Sequence, residues 1–255
     1  MIDTHCHIDF PDFDQDRDAV LKRCANNGVK KIVVPAVSSA SFQRTINTCL
    51  RYPSLELALG LHPVLIDQHQ PQDLIELDFL ISQHKPKAVG EIGLDFFDKQ
   101  LISGTLKEKQ IAFFTKQLII AKQHDLPLII HNRKAHDECI QLLSGENTRG
   151  GIIHAFNGSI QQAEKYASLG FALGFGGMLT FERSTKLRKL AKQIPLNAIV
   201  LETDAPDMTV SQHKGQRNSP EYLPYVQTAL ATIKGCSIDT IAETTSSNAK
   251  RILNL

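Results

Sequence analysis

Hydrophobic and polar positions fall into two alternating patterns along the whole chain. Short apolar runs without polar alternation centre on Ile2–His5, Lys31–Ala36, Leu55–Gly60, Lys87–Glu91, Leu128–His131, Gly151–His154, Gly170–Phe175 and Ala198–Glu202. Runs of that length and β-rich composition predict strands, and the missing alternation predicts strands covered on both faces, as in a parallel sheet. Between them lie longer stretches with helical spacing, such as Ile111, Phe114, Leu118 and Ala121. Thr105-Leu-Lys-Glu108 and Ser159-Ile-Gln-Gln162 read as capping boxes, and Ser219-Pro220 puts proline at a first helical position. Two helices, about Pro220–Lys234 and Ser237–Ile252, are expected to close the chain. No Gly/Ser/Pro-rich linker divides the 255 residues. The pattern therefore predicts a single α/β domain over residues 1–255: a TIM-type (β/α)8 barrel with C-terminal helices. An open doubly wound sheet is the runner-up.

Composition narrows the class. The chain is 42% hydrophobic and 22% charged, the balance of a globular protein with a sizeable core. Its 28 Lys and Arg against 27 Asp and Glu give a net charge of +1, which excludes a globally basic nucleic-acid coat and leaves only local patches. No apolar run approaches the roughly 18 residues of a membrane span, so no membrane association is expected. Five cysteines form no CxxC, and no basic-then-apolar leader opens the sequence, so a reducing cytoplasm is the expected location.

The ten histidines divide in two. His69, His84, His124, His136 and His213 fall in predicted helices or loops and read as solvated surface. His5, His7, His62, His131 and His154 lie at or just beyond the C-terminal ends of predicted strands, which in a barrel converge on one mouth. Glu91, Glu202 and Asp204 end strands in the same way. In His5-Cys6-His7 the two imidazoles share a face and Cys6 points the other way, toward the helices. The same rule puts Glu202 and Asp204 on one face. Glu91, a carboxylate in an otherwise apolar strand end, needs a cation or strong donors, and Arg133 is one alternative partner. Four histidines, a glutamate and an aspartate exceed what one open catalytic ion needs and suit two ions bridged by a carboxylate.

These segments resemble the TatD-like metal-dependent hydrolases of the amidohydrolase superfamily. The matching stretches are Ile2-Asp3-Thr4-His5-Cys6-His7, Gly60-Leu61-His62-Pro63, Gly90-Glu91-Ile92-Gly93-Leu94-Asp95 and His131-Asn132-Arg133. His154-Ala155-Phe156-Asn157-Gly158-Ser159, Leu201-Glu202-Thr203-Asp204-Ala205-Pro206 and Arg217-Asn218-Ser219-Pro220 follow in the family's order. The wording Asp204-Ala205-Pro206-Asp207-Met208 is most similar to the bacterial YjjV-type subgroup. The resemblance implies two divalent metal ions, His5, His7 and Asp204 holding one, His131 and His154 the other, with Glu91 bridging. It places His62 and Glu202 at the site as well. Ligands of this kind suit Zn, Mn, Co or Ni, and Mg serves phosphoryl chemistry.

Asp204 is the expected proton acceptor for an activated water, and Arg133 a contact for an anionic substrate or a salt-bridge partner of Glu91 or Asp95. The first functional reading is a phosphodiesterase, a deoxyribonuclease acting transiently on DNA, with no obligate protein partner. Arg183, Lys186, Arg188, Lys189, Lys192, Lys214 and Arg217 would supply basic character near the mouth, though a solvated helix face is the better explanation for most of them. Phe96, Phe97, Phe156 or Phe181 would stack bases. The alternative is an amide or ester hydrolase, such as a deacylase of misaminoacylated tRNA; a catalytically silent metal scaffold is the third reading.

Overall fold

The computed structural model describes residues 1–255. Eight parallel strands, β1 (Ile2–Asp3), β2 (Lys31–Pro35), β3 (Leu55–Leu59), β4 (Ala88–Asp95), β5 (Leu128–Arg133), β6 (Gly151–Ile153), β7 (Phe171–Phe175) and β8 (Ile199–Leu201), lie side by side in chain order. Helices α1 (Arg17–Asn26), α2 (Ser39–Arg51), α3 (Pro71–His84), α4 (Leu106–Gln123), α5 (His136–Glu146), α6 (Ile160–Ser168), α7 (Thr185–Gln193) and α8 (Leu223–Lys234) follow the successive strands, and α9 (Ile238–Leu253) ends the chain. This is the (β/α)8 barrel that the apolar pattern predicts, and the doubly wound alternative is set aside. The ladder stops between β8 and β1, but the segments beyond them complete the circle. Thr4 N–H donates to Leu201 O at 3.0 Å, Asp204 N–H to His5 O at 2.9 Å and His7 N–H to Ala205 O at 2.8 Å.

The core has two layers. Inside the barrel, Ile2, Val33, Ala58, Ala88, Ile129, Ile152, Ala172 and Val200 supply one side chain from each strand, and Ala249, Ile252 and Leu253 of α9 plug the floor. The larger layer lies between strands and helices and takes in Cys6, just beyond β1. With the floor closed, polar strand-end residues gather at the opposite, C-terminal mouth.

Three local expectations change. β4 runs on to Asp95 instead of ending at Glu91, with a register shift between Val89 and Ile92, after which it pairs with β5 as far as Arg133. Gly93, at φ +144°, lies so close to β5 that a Cβ would overlap His131 O, which is why glycine stands there. Ser159 and Gln162 form the capping box in both directions, whereas Thr105 makes no side-chain cap because its backbone (ψ 7°) is not extended. Ser219-Pro220 opens a 3₁₀ turn, and α8 begins only at Leu223. No helix is long and apolar enough to cross a membrane.

Candidate metal centre

Glu91 sits at the middle of the mouth, buried at 2% exposure. Its Oε2 lies 3.0 Å from His5 Nε2 and 3.6 Å from His7 Nε2, while its Oε1 lies 3.2 Å from both His131 Nδ1 and His62 Nε2. Burial works against its charge, but His5, His62 and His131 around it hold the carboxyl well below the usual carboxylate range. Asp204, in the left-handed region at φ 58°, faces the same histidines: Oδ1 is 3.7 Å from Nε2 of both His5 and His7, and Oδ2 is 3.5 Å from His154 Nε2. Burial opposes its charge too; His154, His5 and His7 nevertheless bring its pKa down to about 2. The donor atoms form three groups, His5–His7–Asp204, His5–Glu91–His154 and His62–Glu91–His131, each within 4.8 Å.

For His7 and His131, hydrogen bonds on the far side of the ring bear on which nitrogen faces the centre. His7 Nδ1 is 3.1 Å from Pro35 O, which can only accept, so Nδ1 carries the hydrogen and the Nε2 lone pair faces inward. His131 Nε2 donates to Asp95 Oδ2 at 3.0 Å, so in the neutral ring the Nδ1 lone pair faces Glu91. His154 Nδ1 lies 3.0 Å from Glu202 Oε1, which also accepts from Ala155 N–H at 2.7 Å. This arrangement tests the fit to a metal. His5 Nε2 and His7 Nε2 stand 3.3 Å apart with two carboxylates around them. Converging lone pairs and carboxylate oxygens repel one another unless a cation or proton lies among them, and the mixed nitrogen and oxygen donors suit a transition-metal ion. The residues fit.

His62 differs from the other four. Its Nδ1 accepts from Val64 N–H at 3.1 Å, so in the neutral ring the hydrogen sits on Nε2 and donates to Glu91 Oε1. Burial, the largest cause, brings its pKa down to about 4 and keeps it neutral. It is therefore a hydrogen-bond donor at the site, not a lone-pair donor.

Around these groups opens a cavity of about 1020 Å³ whose lining includes Glu91, His131, His154, Asp204, Arg133 and Arg183. Arg133 is half-exposed, 3.8 Å from Asp95 Oδ2 and 4.0 Å above the Phe97 ring; of its two alternative partners, the structure gives it Asp95. Of the basic cluster only Arg183 and Lys186 line the cavity. Arg217 pairs with Asp16 over Phe13, and Arg188 donates to Leu179 O, so both serve the fold. Phe156 lines the cavity but is buried, Phe181 lies under Arg183, and Phe96 lies under Lys107.

Two of the histidines expected on the surface are buried. His69 donates from Nε2 to His62 O at 2.9 Å and steadies the loop carrying His62, while His136 packs behind Asn157. Helix and loop assignment alone does not reveal a ring turned inward from the first turn of a helix. The sequence reading also passed over Asp95 as a partner of His131 and Asp3 as a tie to Thr203. Their signal was present: each is an acidic residue in an apolar strand, and each needs donors for the same reason as Glu91.

A family model described as TatD related DNase matches residues 2–254. The metal-dependent hydrolase YjjV of Escherichia coli, itself named uncharacterized, is 40% identical over 100% of this chain and 98% of its own length. Its crystal structure matches with a TM-score of 0.95 at 39% identity, covering 100% of this chain and 98% of that one. Human deoxyribonuclease TATDN3 is 33% identical over 99% of this chain and 94% of its own.

Proposed function

The chain belongs to the TatD family of metal-dependent hydrolases, and from that premise we propose that it is a phosphodiesterase that trims DNA at a pair of divalent ions. The observation that carries this reading is the position of Glu91. One of its oxygens faces His5 and His7 and the other faces His131, as a carboxylate bridging two ions would. In this reading His5, His7 and Asp204 would hold one ion and His131 and His154 the other, with Glu91 between them. When bound, such ions supply water activation and neutralise charge on the phosphoryl oxygens.

The chain's own residues do the rest. Asp204, ionised at neutral pH, accepts the proton of the attacking water and returns it to the leaving oxygen. His62 offers its Nε2–H beside Glu91 as a neutral donor to developing charge. Arg133, Arg183 and Lys186 on the cavity wall draw in an anionic strand. The name of the human relative supports DNA as the substrate class. A cytoplasmic location agrees with the cysteine pattern.

The test is hydrolysis of bis(p-nitrophenyl) phosphate beside p-nitrophenyl acetate and an aminoacyl ester, after chelation and re-addition of Mn or Zn. Metal-restored release from the phosphodiester supports the reading. Metal-restored cleavage of the esters alone overturns it in favour of the acyl-hydrolase alternative.

A further inference from the structure

His136 opens α5, directly after β5, and its buried ring ends a chain of hydrogen bonds that leads to the cavity. Asn132 Nδ2 lies 3.2 Å from Tyr166 Oη, Tyr166 Oη lies 3.2 Å from His136 Nδ1, and His136 Nε2 lies 3.3 Å from Asn157 Oδ1. The Tyr166 hydroxyl also lies 3.4 Å from His136 O. Asn157 Oδ1 can only accept, so Nε2 carries the ring hydrogen. Burial lowers the pKa of His136, so the ring is neutral, its Nδ1 shares the Tyr166 hydroxyl with His136 O, and the hydroxyl oxygen accepts from the Asn132 amide. Asn132 Oδ1 is taken by Ala135 N–H at 3.3 Å. Asn132 and Asn157 both line the cavity, but Asn132 is buried and both its amide nitrogen and its oxygen are engaged within the protein. Asn157 has only its oxygen engaged, and it is exposed. Its NH2 group, held in one orientation by His136, has no acceptor in the protein and lines the same cavity as Glu91, His154 and Asp204.

We propose that Asn157 is a substrate-binding residue whose amide NH2 donates to a phosphate oxygen, and that His136 is the positioning residue that turns that NH2 toward the substrate. A phosphate is the acceptor because Arg133, Arg183 and Lys186 line the same cavity and select an anion. This deepens the phosphodiester reading and rests on it. The His136 ring does not touch the substrate; it keeps the amide from flipping and offering its oxygen, which would repel the anion.

The experiment is calorimetric titration of thymidine 5′-monophosphate into the manganese-loaded full chain and its variants, with the melting midpoint of each recorded. Asn157→Ala is expected to weaken binding about tenfold, the loss of one hydrogen bond to a charged group. Asn157→Asp, which keeps an acceptor for His136 but presents a negative charge, should weaken it at least as much. Asn157 is exposed, so neither variant should move the melting midpoint. His136→Gln keeps an N–H at the Nε2 position and should bind within about threefold of wild type, while His136→Leu should bind as weakly as Asn157→Ala. Wild-type affinity in Asn157→Ala overturns the proposal, and so does a His136→Gln that melts normally but binds no better than His136→Leu. If the wild type itself does not bind the nucleotide, the phosphodiester reading falls and takes this one with it.

Discussion

Thr203 is tied to Asp3 twice: its hydroxyl donates to Asp3 Oδ2 at 2.6 Å and its N–H to Asp3 Oδ1 at 3.0 Å. His5 N–H adds a third bond to Oδ1 at 3.2 Å. One fully buried carboxylate thus joins the segment carrying His5 and His7 to the segment carrying Asp204, across the gap where the strand ladder does not close. Asp3→Ala should leave these donors buried and unpaired, at about 1–3 kcal/mol each, and separate the ligand groups. The expected result is a lower melting midpoint and metal affinity weaker by about tenfold or more, read by titration with a metal-sensitive dye.

Asp95 orients His131, and it also accepts from Phe97 N–H at 3.0 Å and pairs with Arg133. Asp95→Ala removes the acceptor of His131 Nε2–H and frees the ring to turn, so metal bound through His131 should weaken by about ten- to a hundredfold. Metal analysis after dialysis should find less than the wild-type content. Wild-type retention would show that Asp95 does not orient the ligand.

Glu202 is held against His154 by a close backbone. A Cβ on Gly174 would overlap Glu202 Oε2, so Gly174→Ala should push the carboxylate off His154 Nδ1 and off Ala155 N–H. Glu202→Ala removes the same contacts directly. The two variants should show the same direction of loss in turnover, about tenfold or more, and a double variant little more than either alone. Additive losses would separate the glycine's role from that of Glu202.

Outside the metal centre, two buried neutral histidines set an acid limit. Burial, the largest cause, lowers the pKa of both His69 and His136, whereas unfolded chains protonate at the ordinary 6.5. Below that value the unfolded state binds more protons than the folded state, so stability falls as pH drops through 6.5 and returns as it rises. Each group contributes at most about 1.4 kcal/mol per pH unit in that window. With metal chelated, the melting midpoint should be lower at pH 5.5 than at pH 7.5, and His69→Gln should make the drop smaller. An unchanged drop would assign the acid sensitivity to other groups.

Much of this architecture was legible in the sequence, for definite reasons. Eight short apolar runs, most without alternation and spaced as repeated βα units, fit strands covered on both faces, and polar residues at their ends, such as His131 and Glu91, have one place to go in a barrel. The ends of elements were less legible. β4 reaches Asp95 because Gly93 allows the close approach to His131, a feature that depends on the neighbouring strand and not on local pattern. His62 was readable as a site residue, but its tautomer was not, since that is set by Val64 N–H in the following turn. His136 was misread because the partners that bury it, Tyr166 and Phe156, come from later βα units.

The central claim is that the residues around Glu91 hold a metal pair that cleaves phosphodiester bonds with Asp204 as proton acceptor. It is tested most directly by digesting end-labelled single-stranded DNA with the Mn- or Mg-loaded wild type and Asp204→Asn, with metal content measured for both. The account predicts about two ions in the wild type, progressive shortening of the strand, and a loss of at least about a hundredfold in the variant. An intact strand in the presence of a fully loaded wild type, or equal cleavage by Asp204→Asn, would contradict it.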